Sequence, residues 1–190
     1  MSRNSVSNTV AVSAGLQPRH PLYTNEERLR RDASVWTLVQ GILAPVQFLV
    51  FLVSLVLVLR YLLTGQGLEA ANISIVVKTL TLYTIMITGC IWEKAVFDCY
   101  LFAPAFYWED VFSMLVLTLH TGYLYALATG FLTSQQLMYL ALAAYSTYIV
   151  NATQFLLKLR TARLDYAAQV QRAGERTGTV GAAPSGGLAA

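Results

Sequence analysis

The sequence has little charge for its length. Only 12% of the 190 residues are Asp, Glu, Lys or Arg, whereas 56% are hydrophobic, and the mean hydropathy is +0.53. An ordinary soluble domain carries about 25% charged residues, and a soluble fold of this size cannot bury so much apolar surface. The composition therefore indicates an integral membrane protein in contact with lipid. The net charge of +3 is small and gives no reason to expect a nucleic-acid partner.

The residues that most enzymes use for metal or cofactor binding are also scarce. The two cysteines, Cys90 and Cys99, have neither metal-site spacing nor a CxxC arrangement, and we predict that both are reduced thiols. Of the two histidines, only His120 lies in an apolar segment. The chain has no GxGxxG, P-loop, HExxH or CxxCH motif. We therefore expect no cofactor and no intrinsic metal.

Four segments are long and apolar enough to cross a bilayer as helices, which requires about 20 residues each. They cover about residues 35–63, 70–92, 110–132 and 135–157. No Lys, Arg, Asp or Glu occurs from Val111 to Leu157, and Thr129-Gly130 with Thr133-Ser134-Gln135 gives the only turn signal there. The fold class predicted is thus an all-α, four-helix membrane bundle whose third and fourth helices form a tight hairpin.

The ends of the chain differ from this four-helix domain, which we place at residues 22–164. Residues 1–21 have no apolar signal-peptide core and are predicted to be disordered. Thr24 to Glu27 has capping-box spacing and begins a short basic amphipathic helix expected to lie on the membrane surface. Residues 165–190 are expected to form a flexible tail that is helical only at its start.

Lys and Arg near the helix ends predict the orientation. Arg28, Arg30 and Arg31 precede the first span, Lys158 follows the fourth, and Lys94 lies between the second and third, whereas the opposite connections carry only Arg60 near a helix end. Both termini of this multi-pass protein are therefore predicted to be cytoplasmic.

Polar residues within the spans indicate where a site lies, because such residues are costly in lipid and usually face the bundle interior. Gln40, Gln47 and Ser54 recur every seven residues, and Glu109, Ser113 and His120 share one helix face. Nearly all of these groups fall in the predicted cytoplasmic half, with His120 about 15 Å below its mouth. Lys78 is the exception, and its stem is expected to snorkel outward.

Each of these features also has a plain structural explanation. Glu109 and Asp110 begin a helix, where carboxylates complement the dipole, and the buried amides are suited to hydrogen bonds between helices. Tryptophans near the helix ends are typical of an interfacial belt. His120 is harder to explain in this way, because an imidazole at mid-depth is a functional candidate, although a structural bond to Asn151 or Gln47 remains open.

Four stretches resemble the bacteriochlorophyllide vinyl hydratase family of phototrophic bacteria. They are RRDASVWTLVQGILAPVQFLVFLVSLVLVLRYL, VVKTLTLYTIMITGCIWEK, YLFAPAFYWEDVFSMLVLTLHT and YIVNATQFLLKLR. The similarity covers roughly residues 22–164. It implies a hydro-lyase that adds water to the ring-A vinyl group of chlorophyllide a, giving a 1-hydroxyethyl group, with the magnesium carried by the substrate. Water, membrane lipid and other enzymes of the same pathway are the partners that it implies, and a bacterial inner, photosynthetic membrane is the location that it implies.

The resemblance does not identify the catalytic residues, so the following assignments are hypotheses from the chemistry. Vinyl hydration needs a proton donor, a positioned water and a base, and His120 is a candidate base or ligand of the substrate's magnesium. The catalytic candidates are Glu93, Glu109, Asp110 and His120. The candidates for substrate binding are Arg31, Trp36, Gln40, Gln47, Trp92, Lys94, Trp108, Ser113, Asn151 and Gln154. Arg31 and Lys94 are included as partners for the pigment's propionate, although positive charge at the cytoplasmic side also explains them.

Two other functions use the same features. A pigment carrier or assembly factor would bind the pigment without changing it. A small transporter or channel is less consistent with the sequence, because the polar residues are not expected to continue to the far leaflet and Pro45 is the one proline inside a span.

Overall fold

The computed structural model describes residues 22–180, and this part of the chain contains helices and no strand. The five helices are α1 (Asn25–Ala33), α2 (Val35–Thr64), α3 (Leu68–Phe97), α4 (Tyr107–Thr129) and α5 (Ser134–Val180). The all-α architecture predicted from the sequence is confirmed. The N-terminal tail, residues 1–21, lies outside the described residues.

The first helix begins with the capping box that the sequence predicts. The Thr24 hydroxyl accepts a hydrogen bond from the Glu27 N–H at 3.2 Å, and the Glu27 carboxylate accepts one from the Thr24 N–H at 2.7 Å. This pair of bonds satisfies two of the N–H groups that lack helical partners at a helix start. Ser34 then ends α1 and caps α2 through a bond to the Trp36 N–H.

Glycines in the left-handed conformation end α2 and α4. Gly65 has φ 69° and Gly130 has φ 67°, values that a residue without a Cβ adopts at little cost. Only residues 65–67 separate α2 from α3, and only residues 130–133 separate α4 from α5. The tight hairpin expected between the last two spans is therefore present.

The four long helices are all apolar and long enough to cross a membrane. In the most apolar stretch of each, at most 28% of the residues are buried within the protein, so the remaining apolar side chains face outward, as in a helix surrounded by lipid. α2 packs closely on α3 and α4 on α5, and fewer contacts join α2 to α5 and α3 to α4. The helices thus form a closed ring.

We call the end of this bundle that carries α1 and the loop from Asp98 to Ala105 the α1 end. A small apolar cluster of Tyr23, Val96 and Phe106 fixes the start of the described chain to α3 at this end. The larger core lies between the four long helices, where Phe51, Ile75, Tyr123 and Tyr145 are fully or almost fully buried.

The last helix is longer than expected. α5 runs for 47 residues to Val180, so residues 165–180 are helical, although most of the segment 165–190 was expected to be flexible. Leu, Ala, Gln and Arg dominate the sequence after Lys158, and these residues have high helix propensity. Residues 181–190 lie outside the described part of the chain.

Candidate functional site

Three carboxylates and one lysine form a buried group at the α1 end, which we call the acid layer (Glu93, Glu109, Asp110 and Lys158). The three acids are between 3% and 7% exposed. Glu93 comes from α3, Glu109 and Asp110 from the first turn of α4, and Lys158 from α5. The sequence predicted that the three acids meet, and the structure brings them together.

Within this layer, Glu93 and Asp110 are bound by the N–H groups of two consecutive loop residues, which places their carboxyl groups side by side. Two buried carboxylates so close together repel each other, which favours the state in which one of them carries a proton. The Phe102 N–H donates to Asp110 Oδ2 at 2.7 Å, and the Ala103 N–H donates to Glu93 Oε2 at 3.4 Å. The two acids therefore form a close carboxyl pair under a folded loop.

The loop over this pair contains two non-glycine residues with positive φ. Asp98 ends α3 at φ 64°, a conformation that aspartate tolerates, whereas Phe102 has φ 60°, which is strained for a bulky side chain. The strain coincides with the residue whose N–H binds Asp110. Strained backbone is often found where the surrounding structure fixes a functional geometry.

Glu109 has a different partner. Its Oε2 accepts a hydrogen bond from Lys158 Nζ at 2.6 Å, forming a salt bridge between α4 and α5. The lysine also lies 4.9 Å from the centre of the Phe106 ring. Glu109 is thus neutralised by a fixed cation. Sequence reasoning used Lys158 only for orientation, yet the hairpin predicted between α4 and α5 already places residues 109 and 158 at the same end.

The tryptophans are not gathered at one point. Trp92 packs edge-on against Phe97 and Phe106 and donates its indole N–H to Thr37 Oγ1 at 2.9 Å. Trp36 is half-buried on α2. Trp108 is 67% exposed on the outer surface, so the structure does not bring it to the acid layer.

The two basic residues proposed for the pigment's propionate already have acidic partners. Arg31 forms a salt bridge with Asp32 at 2.7 Å and lies over the Tyr23 ring. Burial raises the pKa of the Tyr23 hydroxyl. Lys94 forms a salt bridge with Asp98 at 2.7 Å, and the hydrogen bond from this ammonium lowers the pKa of Asp98. Both cations lie at the α1 end, outside the acid layer.

Beneath the acid layer is a set of neutral polar side chains, the amide layer (Gln47, Ser113, Asn151 and Gln154). Asn151 Nδ2 donates to Ser113 Oγ at 2.8 Å, joining α5 to α4. Phe51 packs against Tyr148 at 5.0 Å, so one helical turn further toward the α1 end brings Gln47 level with Asn151. Gln40 is not part of this layer, because it donates to Thr88 Oγ1 at 2.8 Å between α2 and α3.

Deeper still lies the histidine layer (Lys78, His120, Tyr145 and Tyr148). His120 is fully buried, and its Nδ1 is 2.8 Å from the Val116 carbonyl oxygen. Because a carbonyl oxygen can only accept, Nδ1 carries the hydrogen and Nε2 is left with a free lone pair. Nε2 has no partner among the residues that the structure describes. The hydrogen bond of His120 is therefore to its own helix, and not to Asn151 or Gln47, the partners considered from the sequence.

Lys78 is placed differently from the expectation. It is fully buried, and its Nζ lies 3.8 Å from the centre of the Tyr148 ring and near His120. The prediction that it snorkels outward was wrong. Lys78 is ten residues, or about 15 Å of helix, from the start of α3, and the face of a tyrosine ring offers a cation a nearer partner than the bilayer surface.

The polar groups also continue past His120. Ser54 is hydrogen-bonded to Ser74 and to the Tyr145 hydroxyl, and Tyr123 donates to Asn72 Oδ1 at 2.8 Å. The expectation that polar residues stop in one half of the bundle is thus wrong in detail. What differs between the halves is the position of the buried acids, since Glu93, Glu109 and Asp110 all lie at the α1 end.

Neither cysteine forms a disulfide. Among the residues that the structure describes, no three His, Cys, Asp or Glu side chains are grouped as metal ligands. An outward-facing groove of about 460 Å³ on α4, lined by Leu117, Thr118, Thr121, Gly122 and Tyr125, lies on the side of α4 where Thr121 contacts Tyr83 of α3.

Comparison with known proteins identifies the family. The profile of the 2-vinyl bacteriochlorophyllide hydratase family matches residues 23–161. A 2-vinyl bacteriochlorophyllide hydratase of Rhodobacter capsulatus is 67% identical over 151 residues, which cover 80% of this chain and 88% of the relative. One of Cereibacter sphaeroides is 66% identical over 151 residues, covering 80% and 94%. No solved structure matches the chain. The expectation of a hydro-lyase is confirmed, and the chain belongs to the 2-vinyl bacteriochlorophyllide hydratase family.

Proposed function

We propose that this protein hydrates the ring-A vinyl group of chlorophyllide a to a 1-hydroxyethyl group, at the Glu93–Asp110 pair. Family membership and the names of the two relatives support vinyl hydration in bacteriochlorophyll biosynthesis. The observation that carries the proposal is the buried carboxyl pair of Glu93 and Asp110, held by the N–H groups of two consecutive loop residues. Such a pair contains both the acid and the base that adding water to a double bond requires.

In the proposed reaction, the protonated carboxyl donates its proton to the terminal vinyl carbon. The π electrons form the new C–H bond, and the positive charge left on the inner carbon is delocalised into the macrocycle. A water oxygen then bonds to the inner carbon, and its proton passes to the carboxylate of the pair. The pair regains its shared proton, so the net change is the addition of one water. No electron carrier is required.

Asp110 and Glu93 are better placed for this role than Glu109. Glu109 is engaged in a salt bridge with Lys158 at 2.6 Å, which leaves it a positioning role. His120 lies ten residues below Asp110 on α4, about 15 Å along the helix. A vinyl group in contact with the carboxyl pair is therefore out of direct reach of His120, and we do not assign the base to it.

The pigment can reach the site from the lipid between α3 and α4. This seam has fewer contacts than the α2–α3 and α4–α5 seams, and the loop that closes it at the α1 end carries the strained Phe102. A flat, largely apolar macrocycle that separates two helices exchanges lipid contacts for protein contacts, which costs little hydrophobic energy.

The function is tested with membranes that contain the protein, chlorophyllide a and ¹⁸O-labelled water. The expected product is heavier than the substrate by one water and carries the labelled oxygen. Pigment that is bound but unchanged, in protein shown to be folded, would contradict the proposal and indicate a carrier.

We further propose that the α1 end faces the cytoplasm in the bacterial inner membrane. Arg28, Arg30, Arg31 and Lys158 lie at this end, whereas Arg60 is the one cation near the opposite connections. The test uses Tyr100→Cys and Gln66→Cys, each in a Cys90→Ala, Cys99→Ala background. A membrane-impermeant maleimide added to intact cells should label residue 66 and spare residue 100, and the reverse pattern would overturn the orientation.

A further inference from the structure

Asn151 is held in one orientation by a bond at one end of its amide. Its Nδ2 donates to Ser113 Oγ at 2.8 Å, so its Oδ1 is the end that faces away from this bond. The residue is 9% exposed, and Oδ1 has no hydrogen-bond partner among the described residues. A buried carbonyl oxygen without a partner costs free energy, which a ligand recovers.

The two glutamines of the amide layer, unlike Asn151, are not held in one orientation before a ligand binds. Neither end of the Gln47 amide has a partner within the described part of the chain, so no bond fixes which atom it presents. Gln154 Oε1 also lacks a partner among the described residues, but the side chain is half-buried and no hydrogen bond within that part of the chain fixes its amide. A group that is oriented before binding loses less entropy when the ligand arrives, and in this layer Asn151 is that group.

We propose that Asn151 Oδ1 is the axial ligand of the pigment's magnesium and that Ser113 is the positioning residue that aims it. The inference rests on the proposed function, since it takes a magnesium chlorin as the substrate. Mg²⁺ prefers hard oxygen ligands, including amide carbonyls. A bond from Oδ1 to the metal would satisfy the one end of the Asn151 amide that the protein leaves without a partner.

The depth of the layers selects Asn151 over His120. The path from magnesium through one pyrrole ring to the end of its vinyl group spans at most about 8 Å, because its bonds are about 1.4 Å long and the metal–nitrogen contact is about 2 Å. Ser113, bonded to Asn151, is about 4.5 Å below Asp110 along α4, whereas His120 is about 15 Å below it. A pigment whose vinyl group contacts the Glu93–Asp110 pair thus carries its magnesium level with Asn151.

The test compares binding of chlorophyllide a with binding of its magnesium-free counterpart, by absorbance titration of the full-length protein in lipid nanodiscs. The wild type should bind the magnesium pigment at least about tenfold more tightly. Asn151→Leu should abolish this preference and leave affinity for the magnesium-free pigment unchanged. Asn151→His should restore it, because imidazole also ligates magnesium. Ser113→Ala, a smaller change, should reduce the preference partly.

His120→Leu is the matched control and should keep the preference. The inference is overturned if Asn151→Leu retains the preference or if His120→Leu abolishes it. Binding is measured apart from turnover, so the two proposals fail separately. A wild type that prefers the magnesium pigment through Asn151 yet forms no hydrated product would contradict only the proposed function.

Discussion

The acid layer and the histidine layer satisfy their polar groups in different ways. In the acid layer, Glu109 is paired with Lys158, and Glu93 and Asp110 each accept a hydrogen bond from a loop N–H. In the histidine layer, Lys78 Nζ and His120 Nε2 have no hydrogen-bond partner among the described residues. Both layers are buried, yet only the first is complete within the protein.

The difference shows which layer is organised for chemistry before a pigment arrives. Catalytic groups act best when their geometry is fixed in advance, and the loop hydrogen bonds and the salt bridge fix the acid layer. Groups without partners are costly in a bundle interior, so the unpaired polar groups of the histidine layer destabilise the pigment-free protein. The following predictions change one layer at a time.

Asp110→Asn should have the largest effect. The amide cannot share a proton as the carboxyl does, so we expect turnover to fall by about 10²–10⁴-fold, the usual contribution of a positioned acid or base. The measurement is the initial rate of pigment hydration at equal protein abundance. Asp98→Asn is the matched control, because Asp98 is an exposed acid paired with Lys94, and it should keep the wild-type rate. An Asp110→Asn rate within threefold of wild type would exclude the proposed role.

Lys158→Met should reduce stability rather than chemistry alone. Removing one partner of a buried salt bridge leaves the other charge uncompensated. Because Lys158 is 25% exposed, we expect a loss of about 2–3 kcal/mol in the free energy of unfolding. The double variant Glu109→Gln, Lys158→Met should recover part of this loss. Denaturation in detergent micelles gives both values, and equal stabilities for the single and double variants would contradict the pairing.

Lys78→Met should have the opposite sign. Lys78 is fully buried, and within residues 22–180 no acidic side chain pairs with it. Methionine fills similar space without a charge. We expect the pigment-free protein to gain about 1–3 kcal/mol of stability, measured by the same denaturation. Lys94→Met, which removes an exposed lysine, should change stability little. A clear loss of stability in Lys78→Met would show that the ammonium has a stabilising role.

Phe102→Gly should have the smallest effect. Glycine adopts φ 60° without strain, whereas alanine does not. We expect Phe102→Gly to be about 1 kcal/mol more stable than Phe102→Ala, since both lose the same ring. Thermal unfolding of the two variants measures the difference, and equal melting temperatures would show that the positive φ carries no strain.

The sequence predicts the features that depend on local pattern. The four apolar runs, the Gly130 turn and the capping box at Thr24 follow from composition and spacing, and the common face of Glu109, Ser113 and His120 follows from the helical repeat. All three side chains are buried in the structure. The resemblance to the family over most of the chain also predicted the hydro-lyase activity without use of the structure.

The sequence does not predict features that depend on distant residues meeting. The Lys78 side chain points toward the Tyr148 ring of α5. The prediction that it snorkels outward used only its position along α3, which carries no information about that ring. The strained Phe102 lies in a loop that two acids, from α3 and α4, bind at consecutive N–H groups. α5 continues to Val180. Here the high helix propensity of the residues outweighed the composition from which a flexible tail was predicted.

The central claim is that Glu93 and Asp110 act as one unit with a shared proton. A double-mutant cycle tests it most directly, using initial hydration rates of wild type, Glu93→Gln, Asp110→Asn and the double variant. If the two carboxyls act as a unit, the double variant should be no more than about tenfold slower than the slower single variant. If the two losses multiply in full, the residues act independently and the account is contradicted.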